Sequence, residues 1–398
     1  MRILVAPDCF TGTLSAQQAA EAMGAGWADG APHDEVTALP LADGGPGFVD
    51  TVHGGLGGEL VPTTVTGPLG GQVPAVILLV PSPHGPVAYL ESAQAVGLHL
   101  VPDGQRDPTR TTSVGVGEML RTALGLGARR VVVGLGGSAT NDGGAGLLAG
   151  LGLRGDLLRA GGGTLGHLAP EDLADLAALR RELAAVDLVV ACDVDVPLLG
   201  LHGASGGFAA QKGATPEQAQ HLERQLGHFA HLVDAVVSAD TLRRDLLAAP
   251  PPGVGAARGG AGRALAQLAG AGAAGGLGFA LAVLGGRLLA GSDVVADAIG
   301  LSSAIAQADL VVTGEGSFDW QSLHGKAVSA VASRGLTHGV PVVVVAGQVL
   351  IGRREWGAAG VAGAYAVAED PHDLDHAMAD PAGTLRARVA RVARTWSR

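Results

Sequence analysis

The sequence predicts an α/β protein of two domains, and three observations support this prediction. Short Val-rich runs alternate with longer segments whose apolar residues recur at helical spacing, a pattern typical of parallel sheets with crossover helices. The 398 residues, 47% of them hydrophobic, allow two or three domains at about 150 residues each. Only 3% are aromatic while 65 are glycine, so the core must be built from small aliphatic side chains and close backbone packing.

Several runs have the length, the β-branched content and the Gly, Pro or Asp boundaries of buried strands, and we expect them to be parallel. In chain order they are Ile3–Ala6, Val73–Val80, Val87–Leu90, Arg130–Gly134, Asp187–Ala191, Asp309–Thr313, Val340–Ala346 and Gly363–Val367. Another strand is expected to end at Leu41, before the sequence Ala-Asp-Gly-Gly.

Segments with helical periodicity lie between the strands. They are Ser15–Trp27, with Ser15 as its N-cap, Ser113–Leu124, Pro216–Ser238 and Arg263–Leu284. The tail Arg386–Arg398 is expected to present a solvated helix face. Glycine- and proline-rich breaks fall at Gly54–Gly58, Gly67–Gly71, Arg159–Leu165 and Ala249–Gly262, and the second and fourth would frame an inserted domain.

Composition argues against several functions. The formal net charge is −11 and no Lys/Arg block is present, which disfavours binding to nucleic acid or to anionic membranes. No apolar run has the length of a membrane span or a signal peptide. The two cysteines, Cys9 and Cys192, are too few for a disulfide framework, so we expect a cytoplasmic protein. The oligomeric state does not follow from the sequence.

The richest motif follows the strand at Arg130–Gly134 and reads Gly-Leu-Gly-Gly-Ser-Ala-Thr-Asn-Asp-Gly-Gly. Glycines let a backbone approach an anion closely, and a helix that starts after the loop would offer free N–H groups. We therefore predict a phosphate or carboxylate cradle, whose backbone and side-chain donors are Gly136, Gly137, Ser138, Thr140 and Asn141. No Gly-Lys-Ser/Thr follows, so the loop is not a P-loop.

A second motif, Ala-Cys-Asp-Val-Asp, leaves the strand at Asp187–Ala191. Its carboxylates, Asp193 and Asp195, lie two residues apart and would point to the same side of the strand end. They are candidate Mg²⁺ ligands, and either is a candidate general base. Downstream, Lys212 stands in a polar segment and is a candidate phosphate contact, although a solvated surface lysine would look the same.

Three further strand ends carry acidic residues. Glu315 and Asp319 follow the strand at Asp309–Thr313, with Lys326 after them. Asp8 and Asp43 follow the first two strands. In parallel sheets ligands bind at the carboxyl ends of the strands. Glu315 or Asp319 is expected to handle magnesium or a hydroxyl group, with Lys326 on phosphate, and the four acidic residues are expected to shape a pocket for hydroxyl groups. His324 is a lone histidine in the same segment and is left out of the predicted chemistry.

Taken in order, these motifs resemble the type I glycerate kinase family over almost the whole chain. The matching segments are Ala6–Ala16, Ala42–Gly45, Gly134–Gly144, Cys192–Asp195, Gln211–Ala214, Gly270–Gly278 and Thr313–Lys326. The resemblance implies a flavodoxin-like parallel-sheet domain, residues 1–66 and 288–398, interrupted by an inserted α/β domain, residues 67–287. It also implies an ATP-dependent kinase with Mg²⁺ and D-glycerate, in which 2-phosphoglycerate is favoured over 3-phosphoglycerate as product.

In that interpretation Asp193, Asp195, Asp8 and Lys326 are catalytic. The remaining predicted site residues, which bind substrate or phosphate, are Asp43, Gly136, Gly137, Ser138, Thr140, Asn141, Lys212, Glu315 and Asp319. Mg²⁺ would be held by Asp193 and Asp195, and transfer would be direct, without a covalent intermediate.

Four positions depart from the family pattern. Thr11 stands where a lysine is usual, Pro46 where a glutamate is usual, and Val196 where an asparagine is usual, while Ser317 stands where an arginine is common. These changes keep two alternatives open: a kinase of another small hydroxy acid, and a non-catalytic binding protein on the same scaffold. A third alternative is a nicotinamide-dependent oxidoreductase, because Gly134-x-Gly136-x-x-Ala139 overlaps the dinucleotide fingerprint.

Overall fold

The computed structural model describes residues 1–245, 261–323 and 325–398. The strands are β1 (Arg2–Val5), β2 (Glu35–Ala38), β3 (Glu59–Thr66), β4 (Gln72–Val80), β5 (Val87–Glu91), β6 (Arg130–Gly134), β7 (Asp187–Ala191), β8 (Arg287–Leu289), β9 (Leu310–Thr313), β10 (Ser317–Phe318), β11 (Val342–Ala346), β12 (Gln348–Val349) and β13 (Val361–Ala366).

The α-helices follow the same chain order, and short 3₁₀ turns connect several of them. They are α1 (Ala16–Gly30), α2 (Phe48–Leu56), α3 (Ala93–Val96), α4 (Val114–Gly125), α5 (Ala145–Leu151), α6 (Leu176–Leu183), α7 (Ala204–Phe208), α8 (Pro216–Asp245), α9 (Ala261–Ala266), α10 (Ala273–Val283), α11 (Gly291–Ala298), α12 (Leu301–Gln307), α13 (Ala327–His338), α14 (Arg353–Ala358), α15 (Pro371–Ala379) and α16 (Pro381–Trp396).

The chain forms two compact units: Met1–Gly57 with Ala290–Arg398, called unit 1, and Gly58–Leu289, called unit 2. The domain boundaries expected from the sequence are 66/67 and 287/288, whereas the units divide at 57/58 and 289/290. Strand β3 explains the larger difference, because it pairs with β4 along all eight of its residues and so belongs with unit 2.

Unit 1 contains a five-stranded sheet in the order β13-β11-β9-β1-β2, and every neighbouring pair is parallel. Numbered within the sheet, this is the 2-1-3-4-5 order of the flavodoxin-like fold, as predicted. Alternate residues of β1 face opposite layers. Ile3 and Val5 pack with α1 and α16, while Leu4 packs with the α12 and α13 side.

The tail is more than a solvated helix. In α16, Leu385, Val389 and Val392 are buried in the core that includes α1, and the guanidinium of Arg386 forms an ion pair with Asp29. The expectation for the tail identified the charged face but not the apolar stripe at i, i+4 and i+7 that this helix buries.

Unit 2 contains a six-stranded sheet in the order β3-β4-β5-β6-β7-β8. From β5 to β8 the pairs are parallel, as expected, but β4 is antiparallel to both β3 and β5. The expectation of a parallel strand at Val73–Val80 was therefore wrong. The connections on either side of β4, 67–71 and 81–86, are too short for the crossover that parallel neighbours need.

The single helix expected at Arg263–Leu284 was also wrong, because the structure has two helices, α9 and α10, there. The residues 267–272 between them are not helical, and within the first turn of α10 the chain takes left-handed conformations at Ala274, Gly275 and Gly276. The expected break Ala249–Gly262 falls largely outside the described residues, and so does His324. Across 1–245, 261–323 and 325–398, no helix combines the length and apolarity needed to cross a membrane.

Candidate active site

The predicted site residues fall into two groups, one in each unit, and each group lies at the carboxyl edge of its own sheet. In unit 2, β6 and β7 are parallel neighbours with Gly134 opposite Ala191, so the loops that follow them leave the sheet side by side. In unit 1, β1, β2, β9 and β11 likewise end at one edge.

The loop after β6 presents an open stretch of backbone. Gly136 is half-buried, Gly137 is exposed with φ of 62°, and Ser138 is buried. Within the described part of the chain, the N–H groups of these three residues have no hydrogen-bond partner. Unpaired N–H groups beside a left-handed glycine form the kind of concave site that binds anions.

Lys212 lies beneath this loop and not on the surface. Its side chain is only 3% exposed, and its Nζ donates to Ser138 Oγ at 3.1 Å and to Thr140 O at 2.6 Å. Burial lowers the pKa of Lys212 to about 7, against the opposing effect of the Asp142 carboxylate. The ammonium therefore holds the loop in shape and places a titratable positive charge under it.

Two residues that were not among the predicted site residues, Asp142 and Ser113, fix the other end of the loop. Asp142 is fully buried and accepts from Ser113 N and Ser113 Oγ, both at 2.8 Å, from Gly144 N at 3.0 Å and from Gly146 N at 3.2 Å. Burial raises its pKa, and these bonds oppose the rise. The first N–H groups of α5 are thus occupied, so the expectation of free N–H groups at this helix start, among the described residues, was wrong. A dinucleotide fold would bind pyrophosphate at such N–H groups, and they are not free here.

Thr140 and Asn141 have their donors occupied inside the protein. The Thr140 hydroxyl donates to Ala274 O at 3.4 Å, and the Asn141 amide donates to Ser205 Oγ at 2.9 Å. Both side chains are fully buried, so the outward-facing part of the cradle is Gly136 to Ser138.

The left-handed turn of α10 supports the loop from the other side. Gly143 N donates to Gly275 O at 2.9 Å. A Cβ atom added at Gly275 would overlap Thr140 O, so only glycine permits this approach. Ala274 has φ of 51°, a conformation that costs an L-residue energy and marks the turn as strained.

The two carboxylates after β7 remain accessible. Asp193 is half-buried and Asp195 is exposed, and both lie in the loop that runs beside the Gly136–Ser138 backbone at the same sheet edge. No group of three His, Cys, Asp or Glu side chains arranged to hold a metal occurs among the residues described.

In unit 1 the predicted acidic residues do come together, around a cavity of about 340 Å³. Asp8, Asp43, Glu315, Asp319 and Lys326 all line it. Backbone hydrogen bonds just beyond the strand ends fix the segments that line the cavity. Asp8 N donates to Gly314 O at 2.9 Å, and Gln348 N donates to Gly316 O at 3.1 Å. The short strands β10 and β12 pair next to the cavity.

Burial strongly perturbs the carboxyl of Glu315 in this cavity. It is 8% exposed, and its Oε1 has no hydrogen-bond partner among the described residues. Burial raises its pKa to about 7, Ser322 and Lys326 lower it, and the carboxylates of Asp319 and Asp43 raise it further. The other carboxyls are partly engaged with backbone: Asp319 Oδ1 accepts from Gln321 N at 2.8 Å, and Asp43 Oδ1 from Gly45 N at 2.9 Å.

Cys9 also lines the cavity and is half-buried. Burial, together with the Asp8 and Asp43 carboxylates, raises the pKa of its thiol to about 12. The thiolate is therefore scarce near neutrality, and Cys9 is unsuited to nucleophilic catalysis.

An anion cradle and a carboxylate-lined cavity, each at the carboxyl ends of parallel strands, agree with what comparison with known proteins finds. The sequence profile of the glycerate kinase family matches residues 3–397. The chain belongs to the glycerate kinase family.

Relatives in the family are similar along most of their length. A protein named glycerate kinase from Bacillus subtilis (strain 168) is 40% identical over 88% of this chain and 85% of its own. Glycerate 2-kinase from Escherichia coli (strain K12) is 37% identical over 88% of this chain and 86% of its own. A crystal structure assigned as glycerate kinase 2 from Salmonella typhimurium LT2 aligns with a TM-score of 0.76 at 37% identity, covering 99% of this chain and 98% of that one.

Membership in this family makes the chain a kinase, an enzyme of the phosphotransferase class. The resemblance expected from the ordered motifs is thereby confirmed, and so is the α/β fold of two domains.

Proposed function

We propose that the chain transfers the γ-phosphate of ATP to D-glycerate, giving 2-phosphoglycerate and ADP. The observation that carries the proposal is the Gly136–Ser138 backbone, an anion cradle over the buried ammonium of Lys212, in a member of the glycerate kinase family. The 2-hydroxyl is preferred over the 3-hydroxyl because one of the relatives above is named a glycerate 2-kinase.

In unit 2 the cradle would bind a phosphate group, or the carboxylate of the acceptor, through backbone N–H groups and the Ser138 hydroxyl. Lys212 contributes positive potential from below, which stabilises negative charge that develops during transfer. Thr140 and Asn141 contribute by fixing the loop from within, since their donors are already occupied.

Asp193 is proposed as the group that accepts the proton of the acceptor hydroxyl. The hydroxyl oxygen bonds to the γ-phosphorus, the bond from that phosphorus to the leaving ADP oxygen breaks, and the proton passes to the carboxylate. Asp193→Asn is expected to lower kcat by at least about a hundredfold. Full turnover by this variant would remove Asp193 from the chemistry.

The accessible carboxylates of Asp193 and Asp195 fit Mg²⁺ that arrives on nucleotide phosphates, because Mg²⁺ is usually bound by one or two carboxylates plus phosphate oxygens. When bound there, the ion would neutralise phosphate charge. The residues described offer no all-protein cage of three ligands, which agrees with a phosphate-borne ion.

In unit 1, Asp8, Asp43, Glu315 and Asp319 are proposed to bind hydroxyl groups of the substrates, and Lys326 to balance part of their charge. Cys9 and Cys192 are not joined in a disulfide, which suits a reducing compartment, and we place the reaction in the cytoplasm.

The test is incubation of the purified protein with Mg-ATP and D-glycerate, with the product detected by enolase coupling in the presence and absence of phosphoglycerate mutase. Signal with enolase alone identifies 2-phosphoglycerate, and signal only with the mutase identifies the 3-isomer. Absence of both ADP and phosphoglycerate would overturn the glycerate assignment. A parallel panel of other small hydroxy acids then identifies the acceptor of a kinase with altered specificity.

A further inference from the structure

The cavity of unit 1 is larger and chemically more varied than a small hydroxy acid requires. Its volume of about 340 Å³ lies in the range of sites that enclose drug-sized ligands. Carboxylates form one part of its lining. Another part is apolar and comes from the end of β13 and from α15 and α16: Val367, Leu374, Ala377, Met378, Pro381 and Leu385.

The charge of the lining disfavours an anionic group. Among the described residues of the lining, the acidic side chains are Asp8, Asp43, Glu315 and Asp319, and the one ammonium is that of Lys326. A phosphate or a free carboxylate placed there would meet like charges, whereas hydroxyl groups would find acceptors. The ligand part that suits this lining is therefore uncharged and carries several hydroxyls.

Glu315 independently indicates that a ligand could supply a hydrogen-bond donor in this cavity. Its side chain is more than nine-tenths buried and lines the cavity, yet its Oε1 has no hydrogen-bond partner among the described residues. An unpaired buried polar atom costs free energy, so a ligand hydroxyl that donates to it would be favoured.

The apolar wall suggests what the hydroxyls are attached to. Leu374 and Met378 lie one turn apart on α15, and Met378 is 57% exposed although it lines the cavity. Methionine and leucine side chains adapt well to the flat face of a heteroaromatic ring. The neutral groups of Thr13, Ser317 and Gln348 are also available in the lining for hydrogen bonds to ring edges.

We propose that this cavity binds the nucleoside part of the phosphate donor, with the ribose hydroxyls on the carboxylates and the purine against the wall formed by Leu374 and Met378. The inference rests on the proposed function for the identity of the donor, ATP. It assigns the cavity to the donor and not to the hydroxy acid, and it makes Met378 a residue that contacts the donor.

The test combines adenosine, which lacks phosphates, with Met378→Glu. Adenosine should raise the melting temperature of the wild-type protein and inhibit competitively against ATP but not against glycerate. A carboxylate in the apolar wall should raise the KM for ATP roughly tenfold or more, with the KM for glycerate unchanged, and abolish the adenosine shift. Met378→Leu, which keeps an apolar side chain, should raise the KM for ATP far less than Met378→Glu does.

The matched control is Leu336→Glu, because Leu336 is 61% exposed in the same unit and lies outside the cavity lining. It should leave both KM values unchanged. The proposal is overturned if Met378→Glu raises the KM for glycerate instead, if it changes neither KM, or if neither adenosine nor ATP shifts the melting temperature. If the wild-type protein binds adenosine in a Met378-dependent way but does not phosphorylate glycerate, the acceptor assignment fails while the nucleoside site stands.

Discussion

Burial moves the ionisation of the Glu315 carboxyl to near neutral pH. Its pKa is raised to about 7 from an ordinary 4.5, so between these values the folded chain binds a proton that the unfolded chain has released. The stability associated with Glu315 is therefore fully present below pH 4.5 and is lost as the pH rises through about 7.

Glu315→Gln should remove this dependence. We expect the variant to match the wild type near pH 4.5 and to exceed it at pH 8 by roughly 2–3 kcal/mol at most in free energy of unfolding, because glutamine carries no buried charge. Urea denaturation at a series of pH values measures the difference. Glu355→Gln, at an exposed position of the same unit, is the control and should show no such trend. A constant difference between Glu315→Gln and wild type across the series would contradict the prediction.

The sequence contains only two lysines, Lys212 and Lys326, and both lie at candidate sites. This permits a direct test of burial by reductive methylation and mass spectrometry. Lys326 is half-buried at the cavity and should react, whereas Lys212, 3% exposed with Nζ bonded to Ser138 and Thr140, should resist. Both should react after denaturation. Rapid labelling of Lys212 in the folded protein would contradict its position beneath the loop.

Lys212→Met tests whether Lys212 positions the loop for activity without affecting the overall fold. The change removes the bonds to Ser138 Oγ and Thr140 O and the positive charge below the cradle, so kcat/KM should fall by about 10² or more. The circular dichroism spectrum should remain that of the wild type. Activity within a fewfold of wild type would show that the cradle does not need the ammonium.

Among the elements, the left-handed turn at the start of α10 has the clearest energetic consequence. Ala274 holds φ of 51°, which glycine adopts more readily, while a Cβ atom at Gly275 would overlap Thr140 O. Ala274→Gly should therefore be neutral or stabilising by up to about 1 kcal/mol. Gly275→Ala should cost about 3 kcal/mol and lower activity, because the added Cβ atom pushes away the loop that follows β6.

Thermal melts of the two variants check this prediction. Gly227→Ala is the control, since Gly227 lies inside α8 where an added Cβ meets nothing within 4 Å, and it should stabilise slightly. A destabilising Ala274→Gly, or a harmless Gly275→Ala, would show that the turn is not held as described.

Buried strands could be predicted from the sequence more accurately than exposed or very short ones. The strands β6 and β7 begin and end where predicted, because their Val-rich runs are buried and have clear boundaries. The strand β3 was missed because it lies at the edge of its sheet, alternates with exposed polar residues and contains Pro62. The strand β8 has three residues, too few for a periodic pattern.

The site was predictable where residues follow strand ends and unpredictable where distant parts of the chain meet. Asp8, Asp43 and Glu315 were expected to share a pocket, and they do. The burial of Lys212 could not be read from its polar neighbours, because it depends on contacts with a loop 72 residues away. The role of Asp142 depends on Ser113, which is 29 residues distant.

At the scale of the whole molecule, the two units differ in how the chain builds them. The core of unit 2 is drawn from residues between Val65 and Leu284, so it is contained in one continuous segment. The core of unit 1 is drawn from both ends of the chain, with β1 paired between β2 and β9. Residues 1–57 alone therefore lack β9, which pairs with β1, and α16, which packs against α1.

Residues 58–289 expressed alone should consequently fold, whereas residues 1–57 should not. Unit 2 brings its whole sheet and its own hydrophobic core, which supply the apolar burial that a domain of this length needs. The fragment should show a cooperative thermal transition by circular dichroism, and fragment 1–57 should show none. Two results together would mean that unit 2 depends on the rest of the chain for stability: a non-cooperative melt of 58–289, and increased fluorescence of a dye that binds exposed apolar surface. In the folded fragment, Lys212 should resist methylation as in the intact protein, because all of its hydrogen-bond partners lie within unit 2.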